Sequence, residues 1–138
     1  MGLDTSHECW HGAYSAFMRW REKIAELAGL PPLKLMEGFF NPDGYMNESE
    51  IAKDFPVLPI KWECLKPSAL HVLLHHSDCE GEIEWSDCGP IANELEKLVP
   101  LLPRFEDAGH IGDWRDKTQQ FIKGLREAYS KQENVRFR

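Results

Sequence analysis

The sequence predicts an α+β fold, mainly helical, with about four main helices and a small sheet of short strands. Apolar residues recur at three- and four-residue spacing in four segments, near 13–28, 67–76, 87–102 and 113–129. Three short pieces, 2–6, 82–85 and 135–138, read instead as extended chain. At 138 residues the chain is long enough to bury one core without staples, so 1–138 reads as a single domain.

Each element has its own signals. In Ala13–Ala28, Phe17, Trp20, Arg21, Ile24, Leu27 and Ala28 share one face, with Arg21 its one polar interruption. Gly29 supplies the left-handed stop and Pro31-Pro32 follow it. Leu33–Glu37 fits one helical turn. Residues 38–59 read as a long loop, because Asn41-Pro42-Asp43-Gly44 is a turn signal and Pro56 and Pro59 break regular structure. A second helix starts at Pro67 and runs through Leu70, Leu73 and Leu74 to His76. Ser77-Asp78 form its exit, and Gly81 is placed where φ must be positive. Ser86 or Asp87 caps a third helix whose stripe is Ile91, Leu95, Leu98, Val99 and Leu102. Asp113 caps the last, where Trp114, Thr118, Phe121, Ile122, Leu125 and Tyr129 lie on one side. Pairing the three extended pieces would set the N-terminus beside residues 79–84.

Charge narrows the function classes. A net charge of −7 argues against general nucleic-acid binding, which needs Lys and Arg on phosphates. The charge is polarised: 78–96 holds seven acids, whereas 115–138 holds seven bases against three acids. Two such poles can steer a charged partner, although solvated surface is the plainer account. No apolar run approaches a membrane span and no signal peptide opens the chain, so a cytoplasmic, non-membrane, acidic protein is expected. In that compartment the four cysteines are free thiols or ligands rather than disulfides.

Residues 71–88 hold three of the six histidines and two of the four cysteines, together with Asp78, Glu80, Glu82, Glu84 and Asp87. A second cluster comprises Asp4, His7, Glu8, Cys9 and His11. Histidine, thiolate and carboxylate are the groups that bind metals and move protons. The candidate ligand-binding residues are therefore His75, Asp78, Cys79, Glu80 and Asp4. The candidate metal ligands are His7, His11, His75 and Cys79, with zinc the ion such a mixed set suits. His71 and His75, four apart, share a helical face. Against these stand plainer roles: histidines beside the core stripe, small buried thiols, a solvent-facing His76 and a turn closed by Asp78 and Gly81. Acids around Cys79 also oppose thiolate formation there. No Cys-x-x-Cys, His-Glu-x-x-His or phosphate-binding glycine loop occurs.

The stretch Leu74–Ile83, containing His76-Ser77-Asp78-Cys79-Glu80-Gly81-Glu82-Ile83, with Cys88-Gly89-Pro90-Ile91-Ala92, resembles a family of small bacterial and phage proteins. Phe121-Ile122-x-Gly124-Leu125-Arg126 and Val135-x-Phe137 extend the resemblance through the second half of the chain. That family carries no assigned activity, so it adds no catalytic residues. It implies a bacterial or phage setting and a host-interaction or anti-defence role. The expectation is a non-enzymatic binding or interaction protein for a protein or small-molecule ligand. The alternative is a metal-dependent, zinc-type hydrolase using the His/Asp/Cys cluster.

Overall fold

A computed structural model describes residues 2–37, 59–77, 80–102 and 113–137. Most of the expected loop 38–59, and Asp78 and Cys79, lie outside the described residues. The fold is α+β and mainly helical, with two small antiparallel two-stranded sheets. In order, the elements are β1 (Gly2–Asp4), β2 (His11–Ala13), α1 (Tyr14–Leu27), α2 (Leu70–Leu74), β3 (Glu82–Ile83), α3 (Trp85–Leu98), α4 (Trp114–Lys131) and β4 (Val135–Arg136). No helix among the described residues is long and apolar enough to cross a membrane.

Helix α1 forms where the apolar period predicts it, burying Ala16, Phe17, Trp20, Ile24 and Ala25. It stops at Gly29, whose φ of +79° suits a residue without a Cβ. Arg21, the polar interruption, is only 1% exposed. Its guanidinium lies 4.5 Å from the Phe17 ring centre, and Nη1 donates to the carbonyls of Leu73, Leu74 and His76 at 3.4, 3.3 and 2.6 Å. Arg21 therefore closes the C-terminus of α2, whose last carbonyls have no partner within the helix. This helix is shorter than the sequence predicts. Residues before Leu70 make i→i+3 bonds, His71 N–H to Ser68 and Val72 N–H to Ala69, and so form a turn.

Helices α3 and α4 form the main helix pair of the core. Asp113 caps α4 as predicted, accepting from the N–H groups of Arg115 and Asp116. The cap of α3 differs. The helix opens at Trp85, and the side chain of Asn134, not Ser86 or Asp87, accepts the Trp85 N–H at 2.9 Å. Tyr129 also departs from expectation, being 46% exposed with its ring against Gly89, while Ala128 takes the buried position.

The three extended pieces do meet, although not as one sheet. Strand β1 pairs with β2, and β3 with β4, while a single bridge between Thr5 and Phe137 joins the two ribbons. Strand β2 has no counterpart in the sequence reading, because Trp-His-Gly-Ala lacks alternation. Between β1 and β2 the chain makes a turn at Ser6–Glu8, in which His7 and Glu8 take φ of +59° and +56°.

That turn rests on α4 at Gly124. A Cβ there would meet Cys9 Sγ, and would come within 2.8 Å of the His7 carbonyl oxygen and 3.1 Å of Cys9 Cα. Gly124→Ala is therefore expected to lower the unfolding free energy by about 1–3 kcal/mol, the usual cost of overpacking. Urea unfolding checks this, and a variant as stable as the parent would mean the turn yields freely.

Candidate functional site: a polar cleft where the two chain ends meet

The seam between the ribbons holds a cleft of about 690 Å³. One wall is the Ser6-His7 turn, another is Glu82 and Glu84 with Trp85 at the start of α3, and the third is Gln132–Arg136. The last wall exists because α4 ends at Gln132 in the left-handed region, φ +55°, which turns the chain back towards β4.

A continuous polar network lines this cleft. Arg136 N–H donates to Ser6 Oγ at 2.8 Å, Ser6 Oγ lies 2.8 Å from His7 Nδ1, and His7 Nε2 lies 3.0 Å from Glu133 Oε1. Across the cleft Asn134 Nδ2 donates to Glu82 Oε2 at 2.9 Å, and Arg136 Nε lies 3.2 Å from Glu82 Oε1. Three carboxylates, Glu82, Glu84 and Glu133, thus face one permanent cation, Arg136, and one imidazole. Trp85 adds an aromatic wall, its ring centre 5.7 Å from that of Tyr129. The arrangement suits a cation carried on a flat or apolar stem.

Of the proposed site residues that are described, the fold brings His7 into this cleft and sends Asp4, His11, His75 and Glu80 elsewhere; Asp78 and Cys79 lie outside the described residues. Asp4 and His11 oppose each other across β1 and β2, with His11 Nδ1 3.7 Å from Asp4 Oδ1 on an open surface. Glu80 is exposed. His75, also exposed, lies with its ring centre 5.5 Å from that of Trp62, beside a second concavity of about 500 Å³ shared with Glu37, Lys61 and Glu63. His71 does share that face, 5.1 Å from Trp62, but an indole lies against the pair. Burial lowers the His71 pKa, and the neighbouring His75 adds to that. His76 is not simply solvent-facing: its ring nitrogens lie 2.8 Å from the Ser77 carbonyl and 3.0 Å from that of Glu82, above Phe137.

The zinc expectation finds no support in this placement. His7, His11 and His75 have separate partners, and no group of three His, Cys, Asp or Glu able to hold a metal ion occurs among the described residues. Cys79, the fourth proposed ligand, lies outside them. Cys9 and Cys88 are buried thiols, pushed up to about 12 and about 11 chiefly by burial, with the charge of Cys88 and of Asp87 respectively adding to it. Neither is a ready nucleophile or ligand at neutral pH.

Sequence reasoning missed Ser6, Glu133, Asn134 and Arg136. Ser6-His7 was visible as a dipeptide, but the contact from His7 to Glu133 spans 126 positions. No local pattern encodes such a contact. No family model, curated protein or solved structure matches this chain.

Proposed function

We propose that the chain is a binding protein whose contact surface is the cleft at the seam of its termini, and that its partner presents a basic group there. One observation carries this reading: Glu82, Glu84 and Glu133 gather around a concave surface with Trp85 in its wall. Carboxylates on such a rim attract Lys or Arg and set encounter rate and register more than final affinity. An aromatic face adds attraction for the same cations. The bacterial or phage setting implied by the His-Ser-Asp-Cys-Glu-Gly motif fits a host-interaction or anti-defence protein, for which a protein partner is the natural ligand. Shape and charge alone support this reading, and it requires no covalent step.

The test is calorimetric titration with a short arginine-rich peptide. Binding is expected at low salt and should weaken steeply between about 0.05 and 0.5 M salt, as the Debye length falls below ~10 Å. Glu84→Lys should weaken it about fivefold at low salt, matching roughly 1 kcal/mol for an exposed charge pair. Binding unchanged by salt and by Glu84→Lys would remove the basis of this reading.

A further inference from the structure

We propose that Ser6 is a nucleophile for acyl transfer from carboxylic esters, with His7 as its general base and Glu133 as the residue that positions the imidazole. This goes beyond the binding reading, which needs no chemistry at the cleft.

The local geometry at Ser6-His7 is unusual. In an extended strand, neighbouring side chains point to opposite faces, so a Ser-His dipeptide would not bond to itself. Here His7 adopts φ +59° and ψ +16°, a conformation costly for a residue with a Cβ. That turn brings Ser6 Oγ and His7 Nδ1 to 2.8 Å. The Gly124 seat under the turn, together with the Thr5 and Phe137 bridge, holds the strain in place.

The hydrogen-bond series then assigns the protons. Glu133 is a carboxylate acceptor 3.0 Å from His7 Nε2, which favours the tautomer with the ring hydrogen on Nε2. Nδ1 is left bare and accepts from the Ser6 hydroxyl. One lone pair of Ser6 Oγ takes the Arg136 N–H. Among the described residues no other donor takes the second, which is the one available for attack. Nucleophile, base and orienting carboxylate are thus joined in series at the wall of a cleft.

The step balances without a cofactor. Ser6 Oγ attacks the ester carbonyl carbon while its proton passes to His7 Nδ1. The resulting imidazolium is held by Glu133. Collapse of the tetrahedral adduct breaks the carbon–oxygen bond to the leaving alcohol, which takes the proton back from Nδ1. Water, deprotonated by the same nitrogen, then releases the acid and restores the Ser6 hydroxyl.

An uncharged alkyl fluorophosphonate tests this independently of the acidity of the cleft. Attack by Ser6 forms an oxygen–phosphorus bond and expels fluoride, and the proton leaves through His7. Intact-mass analysis and peptide mapping are expected to find one adduct per chain, on Ser6, and none on Ser6→Ala. His7→Asn tolerates the left-handed backbone and removes the base; it should slow labelling by about 100-fold or more. Glu133→Gln should slow it about tenfold. It should also move the ring ¹⁵N shifts of neutral His7 away from the Nε2–H tautomer, which a merely structural Glu133 would leave unchanged. A folded protein that takes no label at Ser6, or a His7→Asn variant labelled at the parental rate, overturns the proposal. Neither result bears on the salt-dependent peptide titration, so the two readings fail separately.

Discussion

Arg21→Ala is expected to lower the unfolding free energy by about 3–5 kcal/mol, through lost packing of a long buried side chain together with the lost donor to the α2 carbonyls. The guanidinium is the donor for three carbonyls at the end of α2, those of Leu73, Leu74 and His76. Removing it leaves the Leu74 and His76 carbonyls without this donor, while that of Leu73 keeps the His76 N–H at 3.3 Å, and it opens a cavity beside Phe17. Arg21→Met separates the two contributions, because it restores most of the aliphatic volume without the donors. It should recover the packing part and remain about 1–3 kcal/mol below the parent. Because the site is buried, the loss should be nearly the same at low and high salt. Chemical unfolding of both variants at two ionic strengths is the measurement. An Arg21→Met protein as stable as the parent would mean that the α2 carbonyls find other donors.

Phe17→Ala should cost a similar amount, about 3–5 kcal/mol, by loss of buried aromatic volume. Its ring centre lies 5.2 Å from Trp10, 5.9 Å from Trp20, 6.3 Å from Phe121 and 5.9 Å from Phe137. It therefore joins the N-terminal segment, α1, α4 and the residue following β4. For a chain of this length the melting temperature should fall on the order of 10–15 °C. Phe17 and Arg21 are in contact, so their effects should not add; a double-mutant cycle should return a coupling of about 0.5–2 kcal/mol. Scanning calorimetry checks the shift, and strict additivity would mean that the guanidinium gains nothing from the ring.

The helices were legible because their information is local. The stripe of α1, the Gly29 stop and the Asp113 cap all lie within a few residues of what they control. The strands at 2–4, 82–83 and 135–136 fall within two residues of the bounds the sequence predicts, since alternation is local as well. Arg21 could be seen as an anomaly on an apolar face, but its purpose depends on carbonyls more than 50 positions away. The same holds for Asn134, which caps α3 from 49 positions downstream and so displaces the expected Ser86 or Asp87 cap. Dense clusters of histidine and acid drew attention to 71–88, yet density along the chain is not convergence in space. His7 lies in the cleft because Thr5, just after β1, bridges Phe137, just after β4, whereas His11 and His75 lie on other surfaces.

On the function proposed above, the partner seats at the seam between the two ribbons. Amide chemical-shift mapping during titration with the arginine-rich peptide is the measurement that locates the contact. The largest shifts are expected at 6–8, 82–85 and 132–136, with little change at His75 and Trp62. Shifts centred on Trp62, His71 and His75, with the seam unmoved, would contradict it.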